Sequence, residues 1–109
     1  MGWFDRKYKE KKLKTLVPDL SPKSIQIVKN AAENGYADSQ MRLGSLYLTG
    51  KGVIQSNEYA KHWLKRAAEN GNDEAKIYLG FMYQYGIGVY KSEEKAKKLY
   101  NEASNKGVK

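Results

Sequence analysis

From residue 21 onward the apolar positions fall at helical spacing, punctuated by glycines. Leu43 and Tyr47 stand at i, i+4, and Ala75, Leu79 and Tyr83 at i, i+4, i+8. Ala60, Trp63, Leu64 and Ala67 form a second kind of stripe, repeated by Ala96, Leu99, Tyr100 and Ala103. Each stripe predicts an amphipathic helix with that face turned inward. An earlier helix runs from Ser21-Pro22 to about Asn34 and buries Ile25, Ile27, Val28 and Ala31. Ser21 can cap it, Pro22 suits the first helical position, and Gly35 ends it. The next helices begin near Asp38 and Asp73. Ser56 and Ser92 cap the remaining two, with Glu58, Glu93 and Glu94 in the positive first turn and Gly71 and Gly107 at the ends. No strand pattern competes.

The pattern is periodic. Ala31-Ala-Glu-Asn-Gly35 returns as Ala67-Ala-Glu-Asn-Gly71 after 36 residues. At the same spacing Leu43-Gly44 returns as Leu79-Gly80, Tyr47 as Tyr83, Gly50 as Gly86, and Gly52-Val53 as Gly88-Val89. Ser56, Glu58, Ala60 and Lys61 return as Ser92, Glu94, Ala96 and Lys97. A fixed period of this size marks a stack of supersecondary units, none of which can bury its apolar face alone. Gly44 and Gly80 sit mid-helix, where glycine costs about 1 kcal/mol against alanine. Their recurrence predicts helices in close contact there. The predicted architecture is all-α, a stack of helix pairs. A half-unit covers residues 21–35, and units cover 36–71 and 72–107.

Leu43-Gly44-x-x-Tyr47-x-x-Gly50-x-Gly52-Val53, followed by Ala60-x-x-Trp63-x-x-x-Ala67-Ala68-x-x-Gly71, resembles the Sel-1-like repeat. The second copy carries the same marks, with Leu99 in place of Trp63. The resemblance covers about residues 24–107. It implies a short right-handed α/α solenoid of antiparallel helix pairs, tetratricopeptide-like, whose first helices line a concave face, and a role in binding or scaffolding proteins. Adaptor and immunity-protein roles both occur in that family. Its cysteine-rich branch, associated with β-lactams, has a disulfide in each repeat; this chain has no cysteine, and that activity is not carried over.

The net charge of +8 narrows the partners. Residues 1–20 hold six basic groups (Arg6, Lys7, Lys9, Lys11, Lys12, Lys14) against three acidic ones. This basic arm contains Trp3, Phe4, Tyr8, Leu13, Leu16 and Val17 without one clean stripe, and Pro18 interrupts it. It reads first as a solvated charge run. The sharper alternative is a docking arm, in which Trp3, Phe4, Arg6 and Lys7 meet a partner or fold back on the first helix. A basic balance favours an acidic protein surface, with nucleic acid or another polyanion as the alternative through the basic, tyrosine-rich surface. Apolar runs are too short for a membrane span, and the expected location is the cytoplasm. Self-association through an exposed end of the stack is a further reading.

No catalytic set assembles. His62 is the sole histidine and cysteine is absent, so neither a nucleophile–base pair nor a metal site can be named, and no cofactor is expected. Gly50-Lys-Gly52 lacks the spacing of a phosphate loop and reads as a turn. The best functional candidate is an aromatic stripe, Tyr78, Phe81 and Tyr85 at i, i+3, i+7. Arg42, Ser45 and Thr49 hold the same places one repeat earlier. Aromatic residues beside arginine make the composition of a binding hot spot. The competing reading packs Phe81 and Tyr85 on neighbouring helices, or has them cover the C-terminal end of the stack, and packing is favoured for Phe81.

Overall fold

The computed structural model describes residues 20–105, so Trp3, Phe4, Arg6, Lys7 and Gly107 lie outside the described residues. Five helices follow one another: α1 (Pro22–Glu33), α2 (Ala37–Thr49), α3 (Asn57–Glu69), α4 (Asp73–Tyr85) and α5 (Glu93–Asn105). Among the described residues there is no strand. Helix α2 packs most extensively on α3, and α4 on α5; α1 rests on α2 and α3 on α4 through smaller contacts, and α2 touches α4. That is a stack of helix pairs.

Side chains start most of the helices. Ser21, Ser56, Asn72 and Ser92 accept hydrogen bonds from the backbone N–H groups of Ser24, Tyr59, Ala75 and Lys95. Each satisfies one of the unpaired donors of a first turn. Helix α2 begins at Tyr36 with no side-chain cap. Gly50 and Gly86 end α2 and α4 in the left-handed conformation, at φ 74° and 67°. Gly52 and Gly88 also have positive φ, so the Gly-x-Gly segments are turns whose conformation favours glycine.

The central core joins α3 and α4 through Ala60, Leu64, Ala67, Ala75, Leu79 and Met82. Leu64 and Met82 are fully buried, and burying a side chain of that size contributes about 1.5–3 kcal/mol. A Cβ on Gly44 would lie 2.6 Å from Leu64 Cγ and 3.2 Å from the Leu64 backbone nitrogen. On Gly80 it would lie 2.5 Å from the Tyr100 ring. The close approach predicted at these glycines is present; at Gly80 it is made by a ring.

Three core expectations need correction. In α1 the buried residues are Ile25 and Ala32, whereas Ile27 is 60% exposed and Ala31 only half-buried. The cause is position: α1 rests on α2, so the face toward α2 is covered and its opposite face is not. Trp63 is half-buried, with the Arg66 guanidinium 5.1 Å from its ring centre and His62 edge-on to it. Leu99, Tyr100 and Ala103 are half-buried, since α5 has its described neighbour on one side.

Candidate binding face

Helices α2 and α4 present the six residues singled out by the sequence. Arg42 is exposed. The Ser45 hydroxyl donates to the Arg42 carbonyl at 2.8 Å, and the Thr49 hydroxyl to the Ser45 carbonyl at 3.0 Å. Both hydroxyls thus spend their proton on their own helix and offer a partner only acceptor capacity. Tyr78 is half-buried and packs on the central core. Phe81 and Tyr85 are 45% and 61% exposed, with ring centres 4.8 Å apart and planes tilted by 55°. Phe81 therefore does not fill the core; it pairs with Tyr85 at the surface.

A groove of about 480 Å³ runs between α1 and α2. Leu20, Ile27 and Val28 form one wall, and Arg42, Ser45 and Thr49 the other, with Tyr78 contributing from α4. The structure thus brings together Arg42, Ser45, Thr49 and Tyr78. Phe81 and Tyr85 do not line this groove.

Sequence reasoning missed other exposed apolar residues. Ile77 is 50% exposed, so Ile77, Phe81 and Tyr85 form an i, i+4, i+8 surface stripe on α4. Counting that stripe from Tyr78 hid it. Ile54 and Tyr90 are 90% and 97% exposed and stand one repeat apart, each directly after a half-buried valine. Their shared register was the signal that could have found them.

Among the described residues one titrating group is shifted. Burial first, and the neighbouring Tyr85 second, push the Tyr100 hydroxyl above its ordinary pKa of 10.0. That hydroxyl donates to Gln84 Oε1 at 2.8 Å. His62 is exposed on α3 against Trp63. Among the described residues no three His, Cys, Asp or Glu side chains gather as a metal site would require.

The Sel1 repeat pattern matches residues 37–72 and 73–108. The chain belongs to the Sel1 repeat family. A crystal structure of a Sel1 repeat protein from Oxalobacter formigenes is similar, with 32% identity and a TM-score of 0.74, over 76% of this chain and 63% of that one. The c5321 protein, a protective antigen of uropathogenic Escherichia coli strains displaying an SLR fold, is 28% identical with a TM-score of 0.63. That likeness covers 77% of this chain and 21% of that one. The chain thus spans less than two thirds of either structure. Curated proteins give no match. Sel1 repeats are generally protein–protein interaction modules and typically non-catalytic. Among the described residues no helix is long and apolar enough to cross a membrane.

Proposed function

We propose that this Sel1 repeat protein is an adaptor or immunity-type binder that takes an acidic protein surface on the face formed by α2 and α4. The observation that carries this reading is the solvent-facing pair Phe81 and Tyr85, in ring contact yet 45% and 61% exposed. Large apolar rings held against each other in water lose their hydration cheaply when a partner covers them. Tyr78 extends the patch toward the exposed Arg42, whose guanidinium can take a carboxylate with two parallel hydrogen bonds. The net charge of +8 supports an acidic partner and steers its approach.

The alternative partner, nucleic acid, draws on the same charge. Less supports it, because the exposed stripe of Ile77, Phe81 and Tyr85 on α4 has no basic residue among its members to hold a phosphate. Capture from lysate by the full chain, with and without nuclease, tests both readings. A nuclease-resistant protein band lost in the Phe81→Ser/Tyr85→Ser variant supports the proposal. Binding abolished by nuclease, or retained unchanged in the variant, overturns it.

A further inference from the structure

The turn between α4 and α5 walls a cavity of about 540 Å³. Lys61 of α3, Tyr83 of α4 and Lys95 of α5 line it, together with Val89 and Tyr90 of the turn. Among the described residues no Asp or Glu lines it. The turn is pinned at both ends. The Ile87 N–H donates to the Met82 carbonyl at 2.8 Å, and the Ser92 N–H to the Tyr83 carbonyl at 2.9 Å. The cavity is therefore formed before any ligand arrives, as small-molecule sites usually are.

The preceding repeat fills this place differently. There, 36 residues earlier, Ile25, Tyr47 and Tyr59 hold the positions of Lys61, Tyr83 and Lys95. Ile25 is buried against Gly52, where an added Cβ would lie 2.9 Å from Ile25 Cδ1. The Tyr59 ring packs on Tyr47 with centres 5.2 Å apart. The earlier unit thus uses apolar side chains, and the later unit keeps the tyrosine of its first helix and sets lysine at both other positions. Lys95 holds its ammonium 5.3 Å from the Tyr83 ring centre, in cation–π contact. Lys61 is half-buried. Among the described residues neither ammonium is paired with a carboxylate. Two like charges around one cavity repel each other, and partial burial penalises each. Helix packing requires neither of them, since Ile25 and Tyr59 serve it one repeat earlier. An anion between them turns the repulsion into attraction.

We propose that this cavity is an anion site for a phosphate monoester, held by Lys61 and Lys95. The charge count favours that class. A phosphate monoester carries close to two negative charges at neutral pH, which two lysines match. Lysine meets phosphate as a point charge, whereas bidentate recognition of a carboxylate belongs to arginine. Among the described residues no arginine lines the cavity. Val89, and Tyr90 at 97% exposure, offer apolar surface to an organic group that carries the phosphate. The site is separate from the face proposed for a protein partner, because Arg42, Phe81 and Tyr85 do not line it.

The test titrates the isotope-labelled full chain with phenyl phosphate, inorganic phosphate and acetate at constant ionic strength, followed by amide NMR. Saturating shifts centred on Lys61 and on the stretch from Tyr83 to Lys95 are expected with both phosphates. Lys61→Ile/Lys95→Tyr gives the cavity the side chains of the earlier unit. It should weaken binding by roughly tenfold or more, since one lost hydrogen bond to a charged group is alone worth about a factor of ten. Lys65→Gln/Lys98→Gln removes the same charge from exposed positions outside the cavity and should change little. Shifts that do not saturate, or acetate bound as tightly as phosphate, overturn the proposal. So does unchanged affinity in the cavity variant, or equal weakening in the two variants, which would reduce the effect to net charge. If the cavity variant loses its helical circular dichroism, Lys61→Gln/Lys95→Gln replaces it under the same criteria. Phenyl phosphate bound more tightly than inorganic phosphate, with the difference removed by Tyr90→Ser, assigns the site to a phosphate carried on an organic group. Equal affinities assign it to the free anion.

Discussion

Asn70, the residue that ends α3, donates from its side chain to Oε1 of the fully buried Gln40 on α2, at 2.9 Å. Gln40 in turn donates from Nε2 to the Ala32 carbonyl of α1, at 3.0 Å. One buried amide thus fastens three successive helices. A second link of this kind joins the units: Asn72 caps α4 and also donates to Asp38 Oδ1 of α2 at 2.9 Å. Such bonds fix the register of the stack, which apolar contact alone leaves free to slide.

Replacing Gln40 by alanine should therefore cost more than its area suggests. It removes two hydrogen bonds, each worth about 0.5–1.5 kcal/mol net, and opens a gap, while the Ala32 carbonyl keeps the Gly35 N–H at 3.1 Å. Asn70→Ala removes one of the two and leaves the buried Gln40 Oε1 without that donor, which should cost about 1–3 kcal/mol without opening a gap in the core. Urea unfolding of the two variants checks the ordering. A loss for Gln40→Ala no larger than that for Asn70→Ala would mean that the gap closes and that the bond to Ala32 contributes little.

The two mid-helix glycines should respond differently to alanine. At Gly44 the added carbon meets the fully buried Leu64 and, at 3.2 Å, its backbone. Nothing there can step aside, so Gly44→Ala should lose about 1–3 kcal/mol, as overpacked cores do. At Gly80 the clash is with the ring of the half-buried Tyr100, which can swing toward solvent. The gain of about 1 kcal/mol in helix propensity then offsets much of the strain. Thermal unfolding should place Gly44→Ala well below Gly80→Ala. Leu64→Ala combined with Gly44→Ala should be less destabilised than the sum of the two single changes.

These particulars show what the sequence could carry. The helix starts at Ser21, Ser56 and Ser92 and the glycine ends at Gly50 and Gly86 are local chemistry, and the residues announce them directly. The pairing of Gly44 with Leu64 follows from a repeated gap in side-chain size. Exposure was harder to read, because it depends on what lies next in the stack. Ile27 and Trp63 occupy equivalent places, yet Trp63 packs with Arg66 and His62 whereas Ile27 faces the groove. The burial of the polar Gln40 depends on Ala32 and Asn70, eight and thirty positions away, and nothing local announces it. The Phe81 ring was expected to pack inward because helical spacing alone cannot say which of two stripes faces the neighbour.

Alkaline stability should carry the mark of Tyr100. Burial, then Tyr85, raises its pKa in the folded chain above 10.0. A tyrosine is charged once it has lost its proton. Between the unfolded and the folded pKa the unfolded chain has released a proton that the folded chain keeps, so stability falls as pH rises. The contribution is complete below pH 10.0 and disappears as pH climbs through the folded value. Tyr100→Phe removes this slope and also the hydrogen bond to Gln84. At neutral pH that variant should be less stable by about 0.5–1.5 kcal/mol, and the gap should narrow above pH 10.0. Urea midpoints measured across the alkaline range decide it; a gap that stays constant would mean that Tyr100 ionises alike in both states.

The surface aromatics should separate binding from folding. Phe81 and Tyr85 are 45% and 61% exposed, so truncating them removes little that the folded chain buries. Tyr85→Ser should leave the melting temperature nearly unchanged, as surface substitutions do. Its effect belongs to the complex. If the ring is an anchor, its loss costs about 2 kcal/mol or more, which weakens binding by roughly 30-fold. Arg42→Ser should act differently. An exposed rim charge works through steering, so its loss should slow association and flatten the salt dependence while dissociation changes little. Surface plasmon resonance at two salt concentrations, on the captured partner, distinguishes the two patterns. A Tyr85→Ser variant that binds with unchanged affinity would remove the aromatic stripe from the interface and leave the basic surface as the binding element.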